Sequence, residues 1–520
     1  MTDPMPSPDA AGAPPRATGD IGPAAEPLQD LVDHARQTHV VVIGGGIAGL
    51  VAAWECAKVG MGVTLVEASD RLGGTIGSAR IGGHDLEMGV TCWSTRGGAV
   101  RRLVDEVLPG APVVTPRDDR EWIAGLPKGG GAPLPAEQVL GIPANPWDED
   151  VRRLIGWDGT WRAYLDRLRP PLTIGAQRSL GRLVRSRVGA KVRDRLVAPL
   201  TVDRFGLDPD DVDVEIAAPG LSNALTRTGW LGGAVADVRV GATGAGIEGL
   251  DGGMPQLVAA LAGRLAERGV VVHTDARATR VVRTGETWTV ALETATSSAV
   301  TSGEADAGPP ADLLADAVVI ATDEAAARAL LAPALGAPEF AGVPPAGIPR
   351  EVVTLVVDAA ELDAAPRGAH VHAVAGARVA TGLVHETARW DWLARELGPG
   401  RHVLRVAFGA PRGVPATAPL TDADAAALAV AEASALLGVT LGADRIVGAH
   451  RDAFTLAPPA SALGHRDRTA EVRAAVERAH GLATVGAWLS GSGLAQVVAD
   501  AREETDRMRR QVLWGAAATE

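Results

Sequence analysis

Glycines at 44, 46 and 49 and an acidic side chain at 67 carry the first chemistry in this sequence: they are spaced to hold a dinucleotide. The run from His39 to Ala68 reads as strand, glycine turn, helix and second strand, with Gly44, Gly45, Gly46, Ile47, Ala48 and Gly49 at the turn. In a G-x-G-x-x-G of this kind the first glycine makes the tight turn. The second leaves room for a pyrophosphate, and the third lets helix and strand pack closely. The helix start that follows offers free N–H groups to the phosphates. Glu67 ends the second strand, where a carboxylate grips a ribose. A glycine-rich turn in an ordinary α/β core is the alternative. With strand, helix, second strand and Glu67 all in order, the nucleotide reading is favoured.

The continuation tells one dinucleotide from another. After Glu67 and Ala68 come Arg71, Gly73 and Gly74, where an NAD-binding unit normally proceeds to another helix. This E-A-x-x-R-x-G-G segment resembles the second motif of the large flavoprotein family that includes amine oxidases, phytoene desaturases and protoporphyrinogen oxidases. FAD is the cofactor it implies. A second strand–turn–helix, "GLATVGAWLSGSGLAQVVADAREE", stands at 481–504. Gln496 replaces its third glycine, so alone it makes a poor nucleotide motif. Paired with Gly44–Gly49 it becomes the other half of one site, its helix starting near Ser492, Gly493 and Leu494.

These groups need elements to position them. From 97 to 235 the texture is short helices with Pro-rich joints, an inserted lobe. A helix over about 254 to 268 and strands after it return the chain to α/β. Residues 293–312 read as a loose loop in a β meander. Apolar runs near 352–357, 378–385 and 402–409 predict antiparallel strands of a second sheet, and 421–437 an Ala-rich helix. The fold class is therefore α/β, mixed with α+β. A Rossmann-like FAD lobe is built from 38–96, 236–330 and 451–515, and an inserted substrate lobe with a mixed or antiparallel sheet from 97–235 and 331–450. Residues 1–37, rich in Pro, Ala and Gly, read as a disordered leader.

Composition sets limits. With 520 residues the chain exceeds one ordinary core, and a formal net charge of −13 excludes a general nucleic-acid binder. An anionic substrate would need a local basic pocket. Cys56 and Cys92 form no C-x-x-C, so no disulfide framework and no metal site is expected, and two reduced thiols suit the cytoplasm. Cys56 reads as a small buried hydrophobe. No apolar run reaches the roughly 18 to 20 residues of a membrane-spanning helix.

The two FAD motifs are joined by "RSLGRLVRSRVGAKVRDRLVAPLTVDRFGLDPDDVDVEIAAPGL", "GLDGGMPQLVAAL", "GHRDRTAEVRAAV" and the terminal "VGAWLSGSGLAQVVADA". In that order and spacing the chain, from about 39 to 513, resembles the oxygen-dependent protoporphyrinogen and coproporphyrinogen oxidases. The resemblance implies hydride removal from a porphyrinogen by flavin until a porphyrin results, with molecular oxygen as acceptor and hydrogen peroxide as product. It places Gly44–Gly49 on the pyrophosphate, Glu67 on the ribose, Arg71, Gly73 and Gly74 beside the phosphates, and Gly89, Val90 and Thr91 in a turn against the flavin. Thr75 stands where the family often has a basic residue, and Ala278 where it commonly has valine in a backbone contact to adenine. Ser492, Gly493 and Leu494 would bring a positive helix end to the flavin pyrimidine, where charge gathers on reduction.

No catalytic base is named by the sequence; His84, His385 and His465 fall in plausible loops or strands without a role. Arg96, just after "GVTCWSTR", is the candidate for a substrate propionate, with a surface arginine as the plain alternative. The basic run Arg178–Arg195 reads as a solvated face. Coproporphyrinogen III is the favoured substrate over protoporphyrinogen IX, with hand-off of product to a downstream enzyme as a further expectation. Amine oxidation, carotenoid desaturation and a non-enzymatic porphyrin carrier are the rivals.

Overall fold

A computed structural model describes residues 28–118, 120–126, 130–169, 178–241, 246–294, 312–337, 340, 342, 347–409, 411 and 413–515. Apolar runs such as "HVVVI" and "AVVI" form a five-stranded parallel sheet in the order Val271–His273, Gly62–Val66, His39–Ile43, Ala317–Ile320, Leu482–Thr484. Val40, Val41, Val42 and the whole of Ala317–Ile320 are fully buried, the mark of a parallel strand covered on both faces. Helices Ile47–Ala57, Pro255–Glu267 and Leu494–Trp514 pack on one face. The other carries the helix Glu324–Leu335 and a meander of Ala276–Thr284, Thr287–Thr294 and Asp312–Ala315. Residues 295–311 of the expected loop lie outside the described residues, and its flanks pair as a meander should.

The sequence runs outward from His39–Ile43 in one direction and then returns on its other side. Ligands of such sheets bind outside the carboxyl ends at that reversal of strand order. It falls just before Gly44.

A seven-stranded sheet builds the other lobe, in the order Ile446–Leu456, Ile348–Asp358, Arg401–Gly409, Ala380–His385, His370–Ala373, Glu121–Leu126, Gly130–Pro133. All pairings are antiparallel except His370–Ala373 with Glu121–Leu126, so the sheet is mixed. Val353, Leu355, Leu404, Val406 and Phe408 pack under the helix Asp422–Leu437. The period of two then turns Val352, Thr354, Arg405 and Ala407 to the opposite face. A third core gathers the helices between 149 and 241. Among the described residues no helix is long and apolar enough to cross a membrane.

Three expected boundaries move. Of the leader, 1–27 lies outside the described residues, but Leu28–Gln37 is a helix that feeds the first strand and buries Ala35. The helix Ala99–Val107, expected in the inserted lobe, buries Ala99, Val100, Leu103, Val104 and Val107 in the nucleotide-lobe core. Residues 451–456, expected in the nucleotide lobe, complete the edge strand Ile446–Leu456 of the other sheet. Long-range packing and pairing decide the second and third cases, and no local pattern carries them.

Candidate functional site

A cleft of about 440 Å³ opens at the carboxyl end of the parallel sheet. Gly44, Gly46, Ile47, Ala48, Glu67, Ala68, Gly74, Thr75, Val90, Ala278, Ser492 and Leu494, expected to touch the cofactor, all line it. Gly45, Gly49, Arg71, Gly73, Gly89, Thr91 and Gly493 do not; several of them hold its walls. A Cβ on Gly49 would stand 1.8 Å from the Gly44 carbonyl oxygen, so the helix approaches the turn only without one. Gly73 N–H donates to Gly45 O at 2.9 Å, locking the two glycine loops together. Arg71 donates to the carbonyls of Gly74 (2.9 Å) and Ile76 (3.2 Å) and thereby fixes the loop beside the phosphate space.

The cleft fits an anionic dinucleotide on four counts. The helix Ile47–Ala57 starts at Gly46 with no side-chain cap and no acidic residue in its first turn, leaving its N–H groups for a ligand. A Cβ on Gly46 would meet nothing within 4 Å, the open space a pyrophosphate needs. Leu494–Trp514 likewise starts uncapped at Gly493. Glu67 accepts from Gly45 N (2.6 Å) and Ser69 N (2.8 Å), which aim its carboxylate at the cleft. Trp488 also lines the cleft, and its buried Nε1 has no hydrogen-bond partner there. Sequence reasoning missed Trp488 and the Ala321–Asp323 strand end, which lies against Gly44; the strand-to-helix break at "ATDE" was the available signal.

The turn Gly89–Thr91 divides two spaces. Val90 faces the dinucleotide cleft, while Gly89 and Thr91 line a second cavity of about 190 Å³ between the lobes. Arg204, Arg350, Arg389 and Arg405 reach this cavity along with Asp203, Glu386 and His370. Four guanidiniums against Asp203, Glu386 and the Glu121 that pairs with Arg204 leave a basic pocket inside an acidic chain. Arg405 donates to Gly89 O (3.2 Å), tying the sheet to the turn. Arg389 contacts Cys92 Sγ at 3.4 Å. Burial raises the Cys92 thiol pKa, against the pull of Arg389. Glu87, two residues before Gly89 on the strand His84–Gly89, is pushed up to about 8 by burial and by Glu386, although Met254 N–H donates to it at 2.8 Å. None of the cavity's charged residues was named from the sequence, although Arg405 within the apolar alternation of "RHVLRVAFG" was a legible signal.

Arg96 is exposed on the turn Arg96–Gly98 and lines neither space. The basic run is a structural network as well as a surface: Arg187 pairs with the buried Asp166, and Arg193 with Asp208 and Asp210. His385 is buried against His402 at 3.0 Å beside a separate polar cavity, its pKa lowered to about 3 by burial and by His402.

Residues 47–452 match the family described as flavin containing amine oxidoreductase. The coproporphyrinogen III oxidase of Propionibacterium freudenreichii subsp. freudenreichii is 26% identical over 516 residues, covering 91% of either chain. That of Bacillus subtilis (strain 168) is 30% identical over 187 residues, 35% of this chain and 39% of that one. A solved protein of Exiguobacterium sp. 255-15, described provisionally as a protoporphyrinogen oxidase, shares the fold with a TM-score of 0.74 at 22% identity, covering 91% of this chain and 99% of that one.

Proposed function

The chain belongs to the flavin-containing amine oxidoreductase family, and from that premise we propose that it oxidises a porphyrinogen, coproporphyrinogen III, to the porphyrin. The observation that carries this reading is the cavity of four arginines against the turn Gly89–Thr91. Planar guanidiniums suit carboxylates, and coproporphyrinogen bears four propionates. A cavity of about 190 Å³ takes one pyrrole of such a substrate with its propionate arm, the remainder of the tetrapyrrole lying outside it towards the flavin. Arg96 remains a proposed contact for a propionate projecting beyond the cavity. A cationic amine, the substrate of other family members, would meet repulsion from the same guanidiniums.

FAD, when bound, supplies the hydride acceptor, and molecular oxygen is the proposed final acceptor, giving hydrogen peroxide. The protein supplies orientation and electrostatics. The uncapped starts at Gly46 and Gly493 present positive helix ends to the cofactor, and the arginines hold the substrate by its carboxylates. Product hand-off to an enzyme that uses the porphyrin is part of the proposal.

Anaerobic mixing with coproporphyrinogen III, protoporphyrinogen IX and an amine in turn tests it. Flavin bleaching is expected fastest with coproporphyrinogen III, followed by porphyrin fluorescence and peroxide once oxygen enters. Porphyrin binding without bleaching would leave a carrier; bleaching by amine alone would leave an amine oxidase.

A further inference from the structure

The strand His370–Ala373 places two imidazoles on one face, at i and i+2, with ring centroids 4.1 Å apart. Both point at one carboxylate. Asp203 Oδ2 accepts from His370 Nε2 at 2.7 Å and from His372 Nδ1 at 2.8 Å, while Oδ1 accepts from Arg350 at 2.8 Å. His372 Nε2 lies 3.4 Å from Glu121, which Arg204 holds in turn. His372 is fully buried and Asp203 nearly so. The whole network ends at the four-arginine cavity, which His370 lines. Buried ionic networks of this kind add little net stability over an apolar filling of similar volume, so packing alone gives no reason for one here.

We propose that His370, oriented by Asp203, is the base that takes one proton from the porphyrinogen in each two-electron round. The inference rests on the porphyrinogen reading above. A carboxylate can only accept, so the His370 nitrogen facing it carries the hydrogen, and Nδ1 keeps a lone pair for the substrate. In each round one C–H leaves as hydride, with its electron pair, to the flavin oxidant. One proton passes to His370 Nδ1: in two rounds it comes from N–H, whose electron pair enters a new C=N bond, and in one round from a methylene carbon, whose electron pair enters a new C=C bond. Three rounds remove six hydrogens, four from the methylene carbons (three as hydride and one as a proton) and two from nitrogen, so that the porphyrin keeps two N–H groups. With its side chain 22% exposed, His370 returns each proton to water before the next round.

The charges around the ring agree. Burial opposes ionisation of Asp203, but its two histidine bonds hold its pKa well below the usual range. Burial also works against charge on His372, and the bonds to Asp203 and Glu121 outweigh it, so its pKa rises. For His370 burial wins, helped by the neighbouring His372, and its pKa falls. His370 therefore waits neutral beside Arg204, Arg350, Arg389, Arg405 and Glu386. Glu121, His370 and His372 bring donor atoms within 4.8 Å of one another, but Arg204 and Arg350 already supply the positive charge there.

The test compares FAD-loaded wild type with His370→Gln, His370→Gly and Asp203→Asn. Single-turnover bleaching by coproporphyrinogen III is followed without oxygen, beside a pH-indicator dye that reports released protons. His370→Gln should keep its flavin spectrum and porphyrin affinity while bleaching about 100-fold or more slowly, with the pH dependence of the rate flattened. Imidazole should restore bleaching and proton release in His370→Gly. Asp203→Asn, a change in a positioning residue, should slow bleaching less and move the pH profile. Should His370→Gln lose its flavin, the glycine variant and its rescue decide alone. Wild-type bleaching and an unaltered pH profile in the variants, or slow bleaching that imidazole never rescues, overturns the base. Failure of wild type itself to bleach with any porphyrinogen removes the functional reading and this inference with it.

Discussion

The place where a side chain at Gly382 would begin is filled by Asp203: a Cβ there would stand 2.5 Å from the Asp203 carboxylate carbon. The strand Ala380–His385 lets that carboxylate reach His370, His372 and Arg350 by having no side chain at this point. Gly382→Ala should cost about 1–3 kcal/mol by overpacking. Asp203→Ala should relieve much of that cost, so the two changes combine with less loss than their sum. Urea denaturation of the four proteins of this cycle measures it; strict additivity would separate the two residues.

Gly46 and Gly49 should part company under substitution. Gly46 has φ of −70°, open to any residue, and free space around its missing Cβ, so Gly46→Val should fold normally and lose FAD by filling the pyrophosphate space. Gly49→Ala meets the Gly44 carbonyl oxygen and should lower the melting temperature of the apoprotein as well. Flavin absorbance after gel filtration, together with apoprotein melting curves, checks both.

The dinucleotide cleft was legible because its parts are local. Strand, glycine turn, helix and Glu67 follow one another within thirty residues, and twelve of the residues expected there line the cleft. The basic cavity was not. Arg204 comes from the helix Ala198–Phe205, Arg350 and Arg405 from two strands of the large sheet, and His370 from a strand two places away in that sheet's order. Their meeting depends on the pairings that run from Ile348–Asp358 through Arg401–Gly409 and Ala380–His385 to His370–Ala373, and on Asp203 docking against Gly382. Helix Leu28–Gln37 was obscured for a different reason: the Pro- and Gly-rich stretch before it dominates the local composition.

If the cavity binds a carboxylate, Arg389→Gln should raise KM about tenfold or more and change kcat much less, the mark of lost uniform binding. Arg96→Ala is the companion measurement, because Arg96 lies on the exposed turn outside the cavity. A comparable rise there would add a second propionate site; no rise would confine recognition to the cavity. Steady-state kinetics with coproporphyrinogen III read both.

Neither cysteine should behave as a reactive thiol. Burial raises Cys56 to about 12 and raises Cys92 as well, so both stay protonated at neutral pH. Iodoacetamide at pH 7.5 should leave the folded protein unlabelled and modify both residues after denaturation, as mass spectrometry would show. Rapid labelling of Cys92 in the folded state would mean that Arg389 stabilises its thiolate against burial.

Glu87 should make stability fall as pH rises. Burial, then Glu386, raises its pKa from 4.5 to about 8, against the bond from Met254 N–H and the attraction of Arg405 and Arg389. A raised carboxyl pKa means that the folded state binds the proton more tightly than the unfolded chain does. The resulting contribution is fully present below about pH 4.5 and is lost as pH climbs through 8. Glu87→Gln keeps an acceptor for Met254 N–H but cannot ionise. It should match wild type near pH 5 and exceed it at pH 8.5 by on the order of 2 kcal/mol, a smaller figure than the full shift because Glu87 is only partly shielded from water. Denaturation curves at both pH values test the sign as well as the size. Equal stability of the two proteins at pH 8.5 would show that Arg389 and Arg405 already neutralise the Glu87 carboxylate, and the cavity's positive charge would then be smaller than its four guanidiniums suggest.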